Sequence, residues 1–348
     1  MNMRERVYRT VKFGQPDKVP LEIHYDIKTL EKYRLNIKKL INMYPNQFLV
    51  VQYTPPKGFK ITDPYTEKES IDEWGVVWTS DVNQGIRVIS HPLESWDKLE
   101  EYAFPDINGT GRFDLAKNLL KTNKENKFTI GLVWFTFFER LWFLRGFKNC
   151  IMDIMQRDKR LYDLADRLMA FNMEAIKRTL ELGIDAIWLS DDYGHQRGLI
   201  FPLKIWLDFF LPRWKEMFSA IHKGGAITML HSCGNIEQII SYLIDAGLDV
   251  LNPVQPQAMN IDRLGEKYRG KICFFGGVDV QGTLPKGTKK DVEDEVKHLI
   301  WTLGDENGGY IGGTSHTILA DTPFRNIKAM YKAFEKWGDF HLLRKRNP

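Results

Sequence analysis

A histidine and a cysteine two residues apart, in His231-Ser232-Cys233-Gly234-Asn235, are the side chains of this 348-residue chain best suited to chemistry. In extended backbone, positions i and i+2 project to one side, and imidazole and thiolate both ligate zinc well. Gly234 permits a sharp turn after the pair, and Asn235 suits the N-cap of a following helix. The bland account is a satisfied polar histidine beside an inert thiol, and a bare His-x-Cys does not choose between the two. A further histidine, His316, ends the run Gly312-Gly313-Thr314-Ser315-His316. It could add a third nitrogen or sulfur donor and leave a fourth position for water or substrate, as catalytic zinc requires. It could equally be an ordinary residue of an adaptable glycine-rich loop.

Other polar residues follow short apolar runs. Ser190-Asp191-Asp192-Tyr193-Gly194-His195 carries two adjacent acids, costly at a buried strand end unless solvated, paired or functional. One can act as a general acid/base or orient a ligand, while the other caps a helix or meets Arg197. Glu22, His24 and Asp26 alternate along another run, so one side of it carries polar groups. Asp191, Asp192 and Glu22 are therefore the acid/base candidates. His24, Tyr193, Glu139, Asn252, Gln255 and Asp279 are the candidate substrate contacts, and for the Glu139-Arg140 pair a structural ion pair is the simpler account. No Walker-type loop, no Gly-x-Gly-x-x-Gly after a strand and no Gly-x-Ser-x-Gly elbow occurs, which disfavours hydride transfer and serine-type hydrolysis.

The elements that must position these residues recur as a short β-branched or aromatic run, a turn, and an amphipathic helix. That rhythm predicts a parallel sheet with crossover helices. Eight runs are readable, at 19–25, 48–53, 128–134, 186–190, 226–230, 250–254, 272–275 and 310–312. Eight is the count for a closed (β/α)8 TIM barrel, in which chemistry sits where strands end. The runs ending at His231 and His316 then lie across the mouth from each other. Residues 71–92 break the rhythm with two alternating stretches, 74–78 and 86–89, joined around Asn83-Gln84-Gly85. They read as an inserted β-hairpin that either covers the barrel mouth or packs on its side. We expect a single barrel domain over residues 1–348.

Composition bounds the partners. Lys and Arg number 49 against 45 Asp and Glu, too even a balance to indicate nucleic acid or a membrane surface. Three scattered cysteines form no disulfide framework, and no apolar run reaches membrane-spanning length, so a cytoplasmic protein is expected. The basic stretch Leu342-Leu343-Arg344-Lys345-Arg346 is explained by a solvated end. Aromatic residues, at 13%, suit both a core and a pocket for a flat or cationic ligand.

The stretches Met229-Leu230-His231-Ser232-Cys233-Gly234-Asn235, then 247–256, then Phe275-Gly276-Gly277-Val278-Asp279, then Asp321-Thr322-Pro323, resemble the uroporphyrinogen decarboxylase superfamily. The opening Gly14-Gln15-Pro16-Asp17-Lys18-Val19-Pro20 fits it too. The family fold is a (β/α)8 barrel. True decarboxylases of the haem pathway carry an Arg-Gln-Ala-Gly-Arg motif after the first strand. Here His24-Tyr25-Asp26-Ile27-Lys28 stands in its place, without the arginines that grip a many-carboxylate substrate. The other branch comprises zinc methyltransferases working with methylcobalamin or corrinoid proteins, coenzyme M methyltransferases of methanogens among them. Their ligands are a His-x-Cys pair and a distant Cys shortly before Asp-Thr-Pro. His231 and Cys233 match the pair, and His316 falls at the distant cysteine.

The resemblance thus implies Zn²⁺ on His231, Cys233 and His316, with methylcobalamin or a corrinoid carried by a partner protein. This chain has no Asp-x-His-x-x-Gly corrinoid signature of its own. Imidazole in place of a thiolate leaves the site one unit more positive, a stronger Lewis acid. That suits an oxygen or nitrogen leaving group, in a methyl ether or methylated amine, better than a thiol. The expected partners are a small-molecule methyl donor or acceptor and a corrinoid protein, with a homodimer compatible. The alternatives are a metal-independent decarboxylase of a less acidic substrate and a non-catalytic small-molecule-binding barrel.

Overall fold

The computed structural model describes residues 1–59, 69–81 and 85–344. Its centre is a curled parallel sheet. Strands β1 (Phe48–Gln52), β5 (Phe128–Val133), β6 (Ala186–Ser190), β9 (Ile227–His231), β10 (Val250–Asn252), β11 (Cys273–Phe275) and β12 (Tyr310–Ile311) pair in that order. Residues 19–25 take the remaining position beside β12. Leu21 bridges Gly312 and Tyr25 bridges Ile318, both in parallel sense. The fold is the (β/α)8 barrel that the alternation predicts. The difference lies in the first run, which pairs by isolated bridges: Pro20 has no N–H to donate before Leu21, and the register slips between the Leu21–Gly312 and Tyr25–Ile318 bridges.

Pleat parity divides each strand between two cores. Phe48, Phe128, Ile130, Ala186, Trp188, Ile227, Met229, Val250, Cys273, Phe275 and Ile311 pack inside the barrel. Val7 and Val11, from the helix Met3–Val11, join that interior cluster. The intervening residues, among them Val51, Val133, Ile187, Leu189, Leu230 and Leu251, face outward onto the helices in the larger core. The helix Lys159–Leu180 buries an apolar face there, and Phe324–Trp337 begins immediately after Pro323.

The insertion is a three-stranded antiparallel sheet, in the order β2 (Glu69–Ile71), β3 (Val77–Asp81), β4 (Gly85–Ser90). A hairpin alone was expected. The stretch 74–78 is not all strand, because the Asp72 carboxylate accepts from the N–H groups of Trp74 and Val76 and ties that segment into a turn. The predicted joint at Asn83-Gln84 and the residues Lys345-Arg346 lie outside the described residues. A further short hairpin, β7 (Gly194–His195) with β8 (Gly198–Leu199), follows β6. Among the described residues no helix is long and apolar enough to cross a membrane.

Candidate metal centre and its cavity

His231 shares the inward parity of Ile227 and Met229, so its ring enters the barrel at the upper end of β9. Cys233 follows two residues on. Its sulfur lies 3.3 Å from His231 Nε2. The loop after β12 brings in His316, whose ring centroid is 6.1 Å from that of His231. One ligand atom from each of His231, Cys233 and His316 lies within 4.8 Å of the others. Among the described residues this is the group of three His, Cys, Asp or Glu donors close enough to hold one metal ion.

The surroundings set the ligand's protonation. Asn252, opposite His231 in the β9–β10 register, donates from Nδ2 to the carbonyl of Phe275. Its Oδ1 therefore faces His231 Nδ1 at 2.8 Å as an acceptor. Nδ1 must carry the proton, and the Nε2 lone pair points toward Cys233. A histidine ligand with its second nitrogen held by an amide or carboxylate is the usual outer-shell arrangement of a metal site. Burial also pushes the His231 pKa below the ordinary histidine value, keeping the ring neutral. Burial pushes the Cys233 thiol up, and the nearby Asp192 and Glu139 carboxylates add to that. Negative charge that disfavours a bare thiolate favours a cation beside it, so the donor set and its surroundings fit a divalent ion.

Backbone contacts hold the cysteine loop in place. Gly234 has φ +80° and packs directly against the backbone of Gly194, where any Cβ would collide. The Asn235 N–H donates to the His195 carbonyl, and Gly234 N–H to Gln255 Oε1. On the opposite side, Val278 bridges Thr314, and the Ser315 N–H donates to the Val278 carbonyl, fixing the approach to His316.

The adjacent acids after β6 separate by parity. Asp192 continues the inward column of Trp188 and Ser190. Its Oδ1 accepts the Cys233 N–H at 2.7 Å and lies 4.0 Å from His231 Nε2. Asp191 points the other way and is fully buried. Its carboxylate takes the N–H groups of Phe138 and Glu139, the first turn of the helix Phe138–Arg145, and the Tyr193 hydroxyl. Burial pushes its carboxyl up to about 7 against those three donors. Asp191 thus holds the end of a helix, where the helix dipole favours an acid.

A cavity of about 350 Å³ opens beside the three donors, with Glu22, His24, Trp134, Trp188, His231, Asn252 and His316 on its wall. Glu22 is 4% exposed, and its Oε2 is a buried oxygen without a hydrogen-bond partner among the described residues. Burial pushes its carboxyl up to about 8, against the Asn46 side chain and the Lys127 charge. Its other oxygen is 3.7 Å from His24 Nε2. The Trp188 indole N–H is likewise buried and unpartnered. Two unpaired polar atoms on one cavity wall are places for a ligand's polar group or for water.

The remaining candidates stand further back. Glu139 accepts from Ser190 Oγ and is pushed well up by burial, then by Asp192 and Asp191. Tyr193 is in the core, its hydroxyl taken between Asp191 and the Trp214 indole. Gln255 supports the cysteine loop, and Asp279 staples its own loop through Gln257 and the Gln281 N–H. Trp134 and Trp188 were not singled out from sequence. The inward column that selects Met229 and His231 selects them too, at even spacing along β5 and β6.

The sequence model of the family described as uroporphyrinogen decarboxylase (URO-D) matches residues 80–337. Among solved structures, a methyltransferase from Methanosarcina mazei superposes with a TM-score of 0.72 and 18% identity, over 97% of this chain and 99% of that one. A β-L-arabinopyranosidase from Geobacillus stearothermophilus reaches a TM-score of 0.42 at 10% identity, over 94% of this chain and 78% of that one. No match is found among curated proteins.

Proposed function

This chain belongs to the uroporphyrinogen decarboxylase family, and on that footing we propose that it is a zinc-dependent methyltransferase. It moves a methyl group between a small molecule and the corrinoid of a separate protein, as one barrel domain over residues 1–348. The observation that carries the reading is the convergence of His231, Cys233 and His316 beside a cavity, with His231 fixed as the Nδ1–H tautomer by Asn252. The barrel shared with the Methanosarcina methyltransferase is in keeping with it.

His231 Nε2, Cys233 Sγ and a nitrogen of His316 would hold Zn²⁺. When bound, zinc supplies Lewis-acid activation of the substrate heteroatom at its open position. One thiolate and two neutral imidazoles leave the centre with a net positive charge. That favours an oxygen or nitrogen leaving group over a thiol that must itself stay bound as a thiolate.

The chain's own residues do the rest. Asn252 orients His231. Asp192 holds the Cys233 backbone in place and adds negative charge close to the ligand set. Glu22, protonated at neutral pH by its burial, can deliver a proton to the departing oxygen or nitrogen. Trp188 N–H offers a neutral donor on the same wall. His24 presents its imidazole to the cavity between Glu22 and the two histidines, and burial keeps it below the ordinary histidine pKa.

The test is elemental analysis of purified protein, with methyl transfer assayed using a corrinoid protein. About one zinc per chain is expected. Turnover with methyl ethers or methylated amines should exceed turnover with thiols. A protein that takes up no stoichiometric zinc, even when supplemented, overturns the reading. Robust transfer to coenzyme M alone overturns the leaving-group assignment.

A further inference from the structure

A second cavity, of about 410 Å³, adjoins the first, with Leu132 and Trp134 on the walls of both. It is a cleft between the inserted sheet, which contributes Trp78 and Ile86, and the ends of β1 and β5. Flat faces run along it. Trp78 lies 6.3 Å from Phe135 with planes 30° apart, Phe135 lies 6.4 Å from Trp134, and Trp134 lies 5.2 Å from the His231 ring. The insertion therefore stands over the strand-end face, and the cleft leads to the histidine corner.

Among the described residues, three charged side chains line the cleft: Asp72, Glu73 and Arg140. Two are fully engaged. Asp72 accepts from the N–H groups of Trp74 and Val76 and from the Trp78 indole, at 2.9 to 3.0 Å. Glu73 is paired through both oxygens with the Arg112 guanidinium. Arg140 differs. It is 7% exposed, its Nη1 is buried, and that nitrogen has no hydrogen-bond acceptor among the described residues. The charge facing it is Asp72 Oδ2, at 3.5 Å. The guanidinium is held in position by rings, 4.5 Å from the centre of Trp74, 5.7 Å from Phe135 and 5.6 Å from Phe143.

We propose that this cleft binds the body of the substrate as a flat aromatic acid, its carboxylate on Arg140 and its ring laid against the aromatic wall that Trp78 and Phe135 form. The reacting methyl group, on the opposite side of the ring, extends past Trp134 into the histidine cavity. A fixed guanidinium whose Nη1 makes an ion pair with Asp72 at 3.5 Å but no hydrogen bond among the described residues is a natural partner for a carboxylate. An aromatic wall of this kind offers faces and edges against which a flat ring packs. A methylated ammonium fits less well. The faces of Trp74, Phe135 and Phe143 that would cradle it already hold Arg140, whose charge repels a second cation. The role in catalysis rests on the methyltransferase reading above; the binding does not.

The experiment titrates the full-length protein with para-methoxybenzoate, methoxybenzene and benzyltrimethylammonium, followed by tryptophan fluorescence and calorimetry. The carboxylate is expected to bind tightest. R140Q should weaken it about tenfold or more, and R140K by less. Because Arg140 also supports Trp74, I86W gives an independent check. It fills the cleft from the insertion side, and should abolish carboxylate binding while zinc content stays unchanged. Equal affinity for all three probes, tighter binding of the cation, or carboxylate affinity unmoved by both R140Q and I86W overturns the proposal. Carboxylate binding is expected to survive in C233A, which leaves the cleft intact; carboxylate binding by a zinc-supplemented wild-type protein that transfers no methyl group supports the cleft and sinks the methyltransferase reading. Turnover of para-methoxybenzoate at the wild-type rate and KM in R140Q does the reverse.

Discussion

The lower and upper halves of the barrel interior are built from the same columns of inward residues and do opposite things. Below, Phe48, Phe128, Ile130, Ile227, Val250 and Cys273 fill the space beside Val7 and Val11. Above, two residues further along the same columns, Met229 gives way to His231 and Val250 to Asn252. The polarity changes within one pleat repeat. The inward side chains of the lower half form a hydrophobic cluster, whereas the upper half keeps Glu22 Oε2 and the Trp188 indole buried and without a hydrogen-bond partner among the described residues. Substitutions below should therefore act on stability alone, and substitutions above on binding and turnover.

The sharpest division is expected at Cys233. C233A removes a donor from the three-residue set and should abolish stoichiometric zinc. Methyl transfer should fall on the order of a thousandfold, the several kcal/mol that metal polarisation supplies. Unfolding free energy should change by only about 1 kcal/mol for this partly exposed side chain. A fall in stability as large as that of a core deletion would erase the distinction between the two halves. Its counterpart below is I130A. Ile130 is fully buried in the interior cluster. Its truncation should cost about 2–5 kcal/mol in urea unfolding, with zinc stoichiometry of the folded protein intact.

The two acids after β6 test the same boundary across a single peptide bond. D191A leaves the Phe138 and Glu139 N–H groups and the Tyr193 hydroxyl without their acceptor. A loss of roughly 3 kcal/mol in stability is expected. D192A should cost about 1 kcal/mol or less, and should weaken zinc binding instead, because Asp192 holds the Cys233 N–H. Equal stability losses for the two would mean that parity does not separate their roles. A smaller effect belongs to N252A. It frees His231 Nδ1, and zinc affinity measured by chelator competition should fall about 10- to 100-fold, the usual range for an outer-shell partner.

The barrel was legible because buried parallel strands leave short apolar runs, and because i, i+2 alternation survives in sequence. That alternation already placed His231 with Cys233, and Glu22 with His24. It also contained the separation of Asp191 from Asp192, which a count from Trp188 would have shown. Other features are not carried by any local pattern. The contact between Asn252 and His231 depends on the register of β9 against β10. The third strand of the insertion, Glu69–Ile71, has too few residues to alternate visibly. Arg140 follows Glu139, which invites an ion pair between neighbours. In the folded chain it faces Asp72 and stacks on Trp74 from the insertion, contacts that only the tertiary fold creates.

The smallest effect is the most specific, and it concerns pH. Glu22 is a carboxyl raised to about 8 by burial, faced by His24, the Asn46 side chain and the Lys127 charge. If its protonated form assists the leaving group, activity should be nearly full at pH 7. It should fall about tenfold by pH 9, following the protonated fraction. E22Q keeps a neutral side chain but has no proton to deliver, so its rate should be lower and flat across that range. Stability moves in the same direction. The folded-state pKa lies above the unfolded value of 4.5. The contribution of neutral, buried Glu22 is therefore complete below pH 4.5 and is lost as pH rises toward about 8. E22Q should remove that part of the pH dependence of unfolding. Activity that keeps its fall above pH 8 in E22Q would assign the titration to another group and leave Glu22 as a structural acid of the barrel mouth.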